Sequence, residues 1–504
     1  MNESGNQSAQ PDYEAVIVGA GFGGMGAAIQ LGRLGIRKIL MLERADDLGG
    51  TWHLNHYPGL AVDIASLSYS YSFEPNPNWS RLYAPGAELK AYAAHVADKY
   101  RLRQHMRFNT SVERVVYDEA QKLWSVFPAG QQPLTTRLLI LATGFLSQPK
   151  NPDIPGIETF AGKVIHTAAW DHAYDLTGKR AAMIGTGASA VQVLPKIVPK
   201  LAHMDVYQRT PIWVLPKTNP RIAPWLQKLF ARVPLVQRLF RFFSDSILEL
   251  VMVTAVLHNR QFPFLSRAVE RASRRFLAKQ VKDPELRRKL TPQYTFGCKR
   301  PTFSNHYYSS FTRSDVELVT DSIARIEPDA IVTVDGKRRP IDTLVLATGF
   351  NLWQKGNFPA FDVVGRGGVE LGDWWNRNHY QSYEGITVPG FPNLFNIHSP
   401  YAYSGFCYFN TIEVQMAHMA RCIGEMRRRG ADCVEVTEQA KDRYMASMKQ
   451  RDADTVFSAG NCATANSYYF NQHGEATLLR LSSSWAAARH SRSFPLDAYR
   501  YGAA

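Results

Sequence analysis

Two glycine-rich loops, each set between an apolar strand pattern and a helix pattern, constrain the fold of this chain most. The first is residues 19–24 (GAGFGG), which precede a helix-like run at 25–31. Strand, tight turn and helix together form the unit that places a dinucleotide pyrophosphate at a helix N-terminus. In such a unit Gly19 permits the turn, Gly21 lets the backbone approach the pyrophosphate, and Gly24 lets the helix pack on the strand.

The strand that follows this loop ends in an acid. Residues 38–42 (KILML) are mostly apolar, and Glu43 comes directly after them. A carboxylate at this strand end accepts hydrogen bonds from ribose hydroxyls, so it favours a ribose without a 2′-phosphate, as in FAD. Glycine clusters also form ordinary turns. Here, however, strand, loop, helix and acid occur in the order that dinucleotide binding requires.

The second loop, residues 185–190 (GTGASA), follows another apolar strand pattern. The next strand ends in Arg209 rather than in an acid. A guanidinium cannot accept a hydrogen bond from a ribose hydroxyl, but it pairs well with a 2′-phosphate, so this site favours NADPH. The alternative for Arg209 is a solvated charge at a strand end. The loop residues that we expect at this dinucleotide are Gly185, Thr186, Gly187, Ser189 and Ala190.

Two further apolar runs resemble each other. Residues 138–145 (LLILATGF) and 343–350 (TLVLATGF) each follow one of the glycine loops. Continuous apolar runs of this length are typical of strands buried on both faces of a parallel sheet. The alternation of loop and Ala-Thr-Gly strand indicates a duplicated nucleotide-binding plan. The sequence therefore predicts an α/β fold with two Rossmann-like dinucleotide-binding domains and a helical insertion.

The order of these elements also predicts the division of the chain. We expect a discontinuous FAD-binding domain, residues 1–150 and 375–504, because residues 391–397 (FPNLFNI) have the pattern of a late strand that returns to the first sheet. Residues 160–375 then form an NADP-binding domain, and residues 221–290 form the helical insertion within it. Both ligands should lie at the carboxyl ends of the strands, between the domains.

The charge of the chain is concentrated in one region. The formal net charge is +14, and the basic residues cluster between 221 and 300 without a nucleic-acid-binding motif, so no nucleic-acid partner is expected. Residues 246–257 are apolar but too short for a membrane span, and they contain Glu249. We expect the insertion to bury its apolar stripe on the enzyme. A weak contact between residues 221–290 and a membrane surface is the alternative.

Composition and cysteine usage indicate a soluble globular protein. Hydrophobic residues make up 45% of the chain and charged residues 20%, which is ordinary for that class. The cysteines are scattered and lack a Cys-x-x-Cys spacing, which argues for a reducing compartment and against a disulfide framework or a zinc site. Residues 1–12 are polar and lack the features of a signal peptide, so we expect a disordered tail and a cytoplasmic protein. No metal is expected, because the cysteine spacing does not suit a zinc site. The five cysteines are Cys298, Cys407, Cys422, Cys433 and Cys462.

Two longer motifs give a specific resemblance. Residues 160–171 (FAGKVIHTAAWD) have the form Phe-x-Gly-x-x-x-His-x-x-x-Trp-Asp, and residues 49–63 contain GGTW and YPGLAVD. With both glycine loops, the sequence resembles the Baeyer–Villiger monooxygenases, which are FAD- and NADPH-dependent flavoproteins, from about residue 13 to about residue 420. The resemblance implies that the first motif couples domain motion to cofactor position, without proton transfer by its histidine. Its residues are Phe160, Gly162, His166, Trp170 and Asp171.

The resemblance also implies a reaction and its main residues. The family uses O2 to convert a ketone to an ester or lactone through a C4a-peroxyflavin, and here the ketone is expected to be small and apolar. The Lys-Arg pair of the family matches Lys299 and Arg300, so Arg300 would be the permanent cation that stabilises the peroxide and its adduct. Asp63 matches the carboxylate that orients this arginine. The alternatives are an exposed ion pair for Arg300 and a helix N-cap for Asp63.

Further cofactor contacts follow from the same match. The resemblance implies that Trp52 lies over the flavin and that Lys299 holds the NADP phosphate together with Arg209 and Thr210. It implies that Thr51, Tyr69 and Val112 lie at the FAD site. Near the C-terminus, Tyr468 occupies the place where many members of the family have a tryptophan.

Two other functions are consistent with the loops. One is N- or S-oxygenation, which requires a protonated peroxide; a cation beside the peroxide favours the anion instead, so Arg300 with Asp63 argues against it. The other is a non-catalytic regulator that binds FAD and NADPH. Retention of both loops together with Arg300 and Asp63 argues against a regulator.

Overall fold

The structure, a computed structural model, describes residues 10–405 and 407–502. Its larger sheet has eight strands in the order 362–364, 112–118, 123–128, 134–141, 13–18, 39–42 and 106–107, with 394–396 paired to the end of 134–141. The central strands are parallel, and only the strand at 123–128 runs antiparallel to both neighbours. The strands are Tyr13–Val18, Ile39–Leu42, Met106–Arg107, Val112–Asp118, Leu123–Pro128, Leu134–Leu141, Asp362–Val364 and Leu394–Asn396.

A second sheet of five strands is parallel throughout. Its strands, in spatial order, are Val316–Val319, His203–Tyr207, Arg180–Ile184, Thr343–Leu346 and Lys163–His166. A mixed sheet with a parallel centre and a second, fully parallel sheet in one α/β chain confirm the predicted fold class. The late strand Leu394–Asn396 pairs with residues 139–141, so the chain does return to the first sheet.

The two glycine loops occupy equivalent positions in the two sheets. Gly19 and Gly185 both have φ of +109°, a left-handed conformation that glycine adopts without strain. A Cβ on Gly19 would collide with the carbonyl oxygen of Ala142, and one on Gly185 with that of Ala347. These alanines belong to the two Ala-Thr-Gly segments. Each glycine loop therefore turns tightly against the Ala-Thr-Gly segment that follows it in the sequence.

Helices and short ribbons complete the fold. The α-helices are Phe22–Arg33, Thr51–Leu54, Gly86–Lys99, Ala188–Ile197, Pro224–Arg232, Pro234–Ile247, Thr254–Leu257, Pro263–Gln280, Pro284–Leu290, Tyr307–Ser310, Leu371–Asn378, Tyr408–Arg428, Glu438–Asp452, Val456–Ala459 and Ser484–Ser493, with a π-helical segment at Leu248–Val253. The short 3₁₀ turns are Arg103–His105, Ile157–Thr159, Thr167–Ala169, Val198–Lys200, Arg366–Gly368 and Leu496–Ala498. Small sheets pair Ile323–Glu327, Ala330–Thr333 and Arg338–Pro340, then Val214–Leu215 with Thr302–Phe303, and Cys433–Val436 with Tyr499–Gly502.

The chain crosses between the two large sheets twice, and the crossings pair with each other. Gln148–Pro149 leaves the first sheet, Phe350–Asn351 leaves the second, and the two segments form an antiparallel ribbon. This paired ribbon joins the two crossings into one connection between the sheets.

One helix of the insertion packs in the opposite sense from the one we predicted, although other apolar residues of the insertion, such as Phe230, Val256 and Leu277, are buried. In the helix Pro234–Ile247, Gln237 is buried, whereas Leu239, Phe242 and Ile247 are 49%, 57% and 65% exposed. The inner face of this helix is polar because backbone carbonyls and hydroxyls of neighbouring segments supply its hydrogen-bond partners. The expectation that the insertion buries its apolar stripe is therefore wrong for this helix.

The cysteines, the N-terminal segment and the lengths of the helices bear on three further expectations. Cys298 and Cys462 form one disulfide with their Cα atoms 5.3 Å apart, which the expectation against a disulfide framework did not include; the cysteine pattern therefore does not argue for a reducing compartment. Asp12 is not disordered, since its carboxylate accepts hydrogen bonds from the backbone N–H of Thr135 at 2.8 Å and from its hydroxyl; residues 1–9 of the expected tail lie outside the described residues. Within the described ranges, we find no helix with the length and apolarity to cross a bilayer.

Candidate active site between the two sheets

A large cleft of about 2000 Å³ lies where the carboxyl ends of both sheets meet. Its lining includes residues at the ends of six strands together with both glycine loops. Ligands of open α/β sheets bind at such carboxyl ends. The strand-end residues in the lining are Val18, Leu42, Ala142, Ile184, Tyr207 and Ala347.

Most of the residues that the sequence assigns to cofactors line this cleft. Two do not: Gly24 and Ala190 lie in the first turns of the two loop helices and are buried. A Cβ on Gly24 would collide with the carbonyl oxygen of Gly19, so its role is to let the helix approach the loop. The predicted residues in the lining are Gly19, Gly21, Glu43, Thr51, Trp52, Asp63, Tyr69, Val112, Gly185, Thr186, Gly187, Ser189, Arg209, Thr210, Lys299 and Arg300.

Glu43 fixes the first glycine loop to the strand end. One oxygen of its carboxylate accepts a hydrogen bond from the backbone N–H of Ala20 at 2.8 Å, and the other accepts from Ala45 at 3.0 Å. Each carboxylate oxygen has a second lone pair, which is available to a ribose hydroxyl in the cleft. Nearby, the indole of Trp52 meets the ring of Tyr69 edge to face, with centroids 5.6 Å apart.

The second loop faces two cations. Arg209 and Lys299 both line the cleft, and neither forms an ion pair with an acid among the described residues. Burial and the neighbouring charge of Arg209 lower the pKa of Lys299 to about 8. Thr186 and Asn466 order the adjoining turn, because Thr186 Oγ1 donates to the carbonyl of Thr210 at 2.9 Å and Asn466 Nδ2 donates to Thr210 Oγ1 at 2.7 Å. Two like charges this close repel each other, so an anion that neutralises them would be stabilised here.

Arg300 and Asp63 meet in the same cleft through a two-pronged contact. Arg300 Nε donates to Asp63 Oδ2 at 2.7 Å, and Nη2 donates to Oδ1 at 2.8 Å. The remaining nitrogen, Nη1, donates to the hydroxyl of Tyr403 at 3.2 Å. No helix begins after Asp63, so the N-cap alternative is wrong. The contact also excludes the exposed ion pair, because the Arg300 side chain is only 19% exposed.

The pair stays charged despite its burial. Burial alone would raise the pKa of Asp63, but the charge and hydrogen bonds of Arg300 lower it below the ordinary value. Burial would lower the pKa of Arg300, but Asp63 and Tyr403 raise it well above the usual range. Each partner therefore holds the other ionised. The cleft contains a permanent guanidinium whose orientation is fixed by a carboxylate.

His166 lies at the ribbon that connects the sheets, outside the cleft lining. Its Nδ1 accepts a hydrogen bond from the backbone N–H of Ala168 at 3.0 Å, so Nε2 carries the proton of the neutral ring. Nε2 lies 3.3 Å from Thr348 Oγ1, and that hydroxyl donates to the carbonyl of Lys150. Burial lowers the pKa of His166. The ring thus connects both crossings as a neutral hydrogen-bonding group, which supports a hinge role without proton transfer.

The other members of this motif support the same corner. Asp171 Oδ2 accepts from Lys163 Nζ at 2.6 Å, and Phe160 and Trp170 are buried. A Cβ on Gly162 would collide with the Phe160 ring and the carbonyl of Asp342. The motif is therefore packed around the edge strand of the second sheet, and none of its residues lines the cleft.

Sequence reasoning missed several residues of this site. Tyr403 contacts Arg300 from 103 residues away, in a turn whose sequence carries no motif. Lys217 Nζ lies 3.4 Å from the carbonyl of Val62; burial lowers its pKa while the Asp63 charge acts to raise it. Tyr468, which the resemblance to the family already singled out, also lines the cleft; burial raises its pKa while the Arg300 charge lowers it. Tyr403 lines the cleft and Lys217 lies near Asp63, and both positions are visible only in three dimensions.

The residues present fit two dinucleotides. Gly21 and Gly187 present bare backbone, and a Cβ on Gly187 would meet nothing within 4 Å, so a pyrophosphate can approach that helix N-terminus. The acid Glu43 beside the first loop suits a ribose with free hydroxyls, and the cations beside the second suit a phosphorylated one. The volume of the cleft is also large enough for both.

Comparisons with known proteins agree with this geometry. The family model described as pyridine nucleotide-disulphide oxidoreductase matches residues 16–239. In solved structures, the chain is similar to cyclohexanone monooxygenase from Rhodococcus sp. Phi1 bound to NADP+, at 26% identity and a TM-score of 0.87 over 98% of this chain and all of that one. It is also similar to an oxidised steroid monooxygenase bound to NADP, at 28% identity and a TM-score of 0.86 over the same shares.

Curated relatives cover nearly the whole sequence. A Baeyer–Villiger monooxygenase of Pseudomonas aeruginosa is 38% identical over 99% of this chain and 93% of that protein. A Baeyer–Villiger monooxygenase of Streptomyces coelicolor is 36% identical over 98% of this chain and 94% of that protein. This chain therefore belongs to the Baeyer–Villiger monooxygenase family.

Proposed function

We propose that this protein is an FAD-dependent monooxygenase that uses NADPH and O2 to convert a small apolar ketone to an ester or lactone. The observation that carries the proposal is the guanidinium of Arg300, held by Asp63 in the cleft between two dinucleotide loops. Relatives named Baeyer–Villiger monooxygenase over nearly the full length support the reaction class.

FAD belongs to the first loop in this proposal, where it would supply the activation of O2. Gly19, Gly21 and Gly24 shape the turn, and Glu43 faces the ribose. The edge-to-face pair of Trp52 and Tyr69 forms an aromatic wall of the cleft on the same side. Thr51 and Val112 extend that lining. This apolar wall excludes water from the reacting atoms, and electrostatic interactions are stronger where water is excluded.

NADPH belongs to the second loop. Gly185, Gly187 and Ser189 lie at the N-terminus of the helix Ala188–Ile197, which is suited to a pyrophosphate. Arg209 and Lys299 offer positive charge to a 2′-phosphate, and Thr210 offers a hydroxyl group. An arginine in place of the acid that NAD requires makes NADPH the preferred reductant.

Arg300 stabilises charge during the reaction. When an oxygen nucleophile attacks a ketone, negative charge develops on the carbonyl oxygen, and a fixed cation beside it lowers the barrier. Asp63 holds the guanidinium in place, so no reorganisation is needed at the moment of reaction. Arginine is suited to this position because it remains charged at any working pH. The permanent cation also disfavours N- or S-oxygenation, which needs a protonated oxygen species.

The division of the chain belongs to the same proposal. We assign residues 1–150 and 375–504 to the FAD-binding domain and residues 160–375 to the NADP-binding domain, with the insertion at 221–290. The strands of the two sheets follow this division except for Asp362–Val364, which pairs with residues 114–116 of the first sheet, so the chain returns to that sheet before residue 375. The proposed partners are the ketone, O2 and a membrane surface that residues 221–290 contact.

Product analysis tests the function. The FAD-loaded protein is given NADPH, air and a panel of linear and cyclic ketones, with sulfides of matched size as a second panel. We expect esters or lactones from the ketones, with one NADPH consumed for each product, and little sulfoxide. Sulfoxides without esters would move the assignment to heteroatom oxygenation. Flavin reduction by NADPH without any oxygenated product would indicate a regulator or an oxidase.

A further inference from the structure

We propose that the outward face of the insertion docks on an anionic lipid surface. This outward face consists of Leu235, Leu239, Phe242, Phe243, Ile247 and Leu250, on the helix Pro234–Ile247 and the π-helical segment that follows it. The membrane contact proposed above is thereby assigned to named residues and to a lipid surface of negative charge. It rests on that proposal but not on the reaction assigned to the cleft.

The outward face is exposed to an unusual degree. Its six large apolar side chains recur at helical spacing, and each is 49% to 65% exposed. Fifteen large hydrophobic residues are exposed in the described chain, and twelve of them lie between residues 225 and 264. Isolated exposed hydrophobic residues are normal on a protein surface, but such a concentration marks an interaction site.

The orientation of this helix is fixed by its polar side, so it cannot simply roll inward. Gln237 Nε2 donates to the carbonyl of Asn76 at 2.7 Å, and Arg241 Nη1 donates to the carbonyl of Ser70 at 2.7 Å. One turn after the helix, Glu249 accepts from the backbone N–H of Ser484 at 2.8 Å and from its hydroxyl at 2.6 Å. Burying the apolar face on the protein would break these contacts and leave buried polar groups without partners.

Neighbouring helices add further exposed aromatic residues. Trp225, on the helix Pro224–Arg232, is 67% exposed, and Phe264, on the helix Pro263–Gln280, is 56% exposed. The rings of Phe230 and Phe240 join the first two helices of the insertion, with centroids 5.5 Å apart. Trp and Phe are the residues that amphipathic surface helices place at the boundary between lipid headgroups and acyl chains.

Charge identifies the occupant of this face. Residues 221–282 contain twelve lysines and arginines but only three acids, Asp245, Glu249 and Glu270. Arg241 is the one cation of this range that forms an ion pair with an acid among the residues that the structure describes. A second copy of the same surface would be repelled by so many like charges, whereas an anionic headgroup layer is attracted by each of them.

The opposite side of the same helix touches the wall of the cleft. Ser244 Oγ lies 3.0 Å from Ser68 Oγ, and Arg241 reaches the carbonyl of Ser70. Tyr69, which lies between Ser68 and Ser70 in the sequence, lines the cleft. Docking would therefore bring the cleft wall within one helix diameter of the lipid. An apolar ketone dissolved in the bilayer is the class of substrate that such an arrangement suits.

Vesicle flotation tests the docking. The FAD-loaded full-length protein is mixed with vesicles of phosphatidylcholine alone or with 30% phosphatidylglycerol (about one anionic lipid in three), at low and high salt. We expect wild-type protein to float with the anionic vesicles at low salt, at least tenfold more than with neutral ones. High salt should reduce binding but not abolish it, because the apolar contact is not screened. Absence of wild-type binding to anionic vesicles at low salt would overturn the inference.

Matched variants locate the contact. The triple substitution Leu239→Ser/Phe242→Ser/Ile247→Ser should reduce binding to anionic vesicles at least tenfold. The control is Val334→Ser, an exposed apolar residue on another surface, which should bind like wild type. Both variants should keep FAD and the wild-type Tm, because these side chains face solvent. Equal binding by the triple variant would overturn the assignment to this face.

A second pair of variants tests the charge. Arg267→Glu/Arg271→Glu should lose the preference for anionic vesicles, whereas Lys200→Glu/Arg101→Glu, exposed cations elsewhere, should retain it. Light scattering distinguishes self-association: a wild-type dimer that becomes monomeric in the triple variant would assign the face to a second copy and overturn the lipid proposal. Turnover of a water-soluble ketone without vesicles is measured separately, so loss of docking and failure of the proposed reaction cannot be confused.

Discussion

Arg300 and Asp63 are joined by two parallel hydrogen bonds of 2.7 and 2.8 Å, although 237 residues separate them in the sequence. A guanidinium and a carboxylate paired in this way have one relative orientation, which a single contact would not fix. The third nitrogen of the fork remains for Tyr403. The cation at the centre of the cleft is thus positioned from two sides, and its own charge is available to the reacting atoms.

The first prediction concerns this cation. Arg300→Ala should retain FAD, because the first glycine loop and Glu43 are untouched, but ester formation should fall by at least about 10²-fold, as on removal of one oxyanion-stabilising donor. Arg300→Lys should rescue poorly, since an ammonium cannot reproduce the planar fork. Product yield and NADPH oxidation are measured together. Asp63→Ala should be milder, because the cation remains, and wild-type ester yield in Arg300→Ala would contradict the assignment.

The second prediction concerns Tyr403 as a positioning residue. Tyr403→Phe removes the hydroxyl at 3.2 Å from Arg300 Nη1 and leaves the ring. We expect kcat to fall by roughly three- to tenfold, which corresponds to the loss of about 1 kcal/mol from one hydrogen bond. The KM for NADPH should stay the same, because the phosphate-binding cations are not affected. Tyr83→Phe, at a partly buried tyrosine, is the control; a larger effect on KM than on kcat would argue against positioning.

The third prediction concerns the choice of reductant. Arg209→Ala should raise the KM for NADPH strongly and leave that for NADH nearly unchanged, since only NADPH carries the 2′-phosphate. The lost contact is charge-assisted and should contribute about 1.5–3 kcal/mol. The measurement is kcat/KM with each reductant. Equal efficiency of the wild-type enzyme with NADH and NADPH would show that Arg209 is a solvated strand-end charge.

Local patterns predicted much of this architecture. Each glycine loop, the strand before it and the helix after it form a contiguous segment, so their geometry is encoded within about thirty residues. The positions of Glu43 and Arg209 follow from the same segments, because Glu43 is the first residue and Arg209 the second residue after the second strand of its unit. The resemblance to a family then brought in Arg300 and Asp63, whose contact no local pattern implies.

The remaining features depend on partners that are distant in sequence. Periodicity shows that residues 234–250 have an apolar and a polar side, but not which side faces inward. The carbonyls of Asn76 and Ser70 decide this by accepting from Gln237 and Arg241. Scattered cysteines likewise do not state their pairing, and Cys298 meets Cys462 across 164 residues. Contacts of this kind become visible only once the chain is folded.

The fourth prediction concerns that disulfide. Three of the five cysteines, Cys407, Cys422 and Cys433, are free, so the unfolded, non-reduced protein should show three reactive thiols. Five would contradict the pairing. Cys462→Ser should lower stability by about 2–4 kcal/mol, as is typical for loss of a disulfide. The measurement is denaturant unfolding, with Cys433→Ser as a control.

The same bond should affect NADPH binding. Cys298 directly precedes Lys299, and Cys462 lies in the cleft lining near Asn466, which donates to Thr210 Oγ1. Freeing the two segments should weaken the phosphate site, so Cys462→Ser should raise the Kd for NADP+ by several-fold. An unchanged Kd together with reduced stability would limit the disulfide to a structural role.

The fifth prediction concerns pH. The pKa of Lys299 is lowered to about 8 by burial and by the neighbouring cation Arg209. Lys299 is therefore largely charged at pH 7 and loses its proton as the pH rises through 8. A bound 2′-phosphate would raise this pKa, so binding should take up protons between about pH 8 and 10 and weaken across that window. The phosphate itself is already doubly ionised there, since its second pKa is about 6.

Isothermal titration with NADP+ and NAD+ between pH 7 and 10 measures this effect. The affinity for NADP+ should fall with rising pH by about ten- to a hundredfold, the loss expected for one charge-assisted contact, while that for NAD+ changes little. Lys299→Arg should bind NADP+ with a nearly flat profile, because its guanidinium does not titrate in this range. Lys299→Gln should bind weakly at every pH. A slope in Lys299→Arg equal to that of the wild type would mean that another group titrates and that Lys299 does not hold the phosphate.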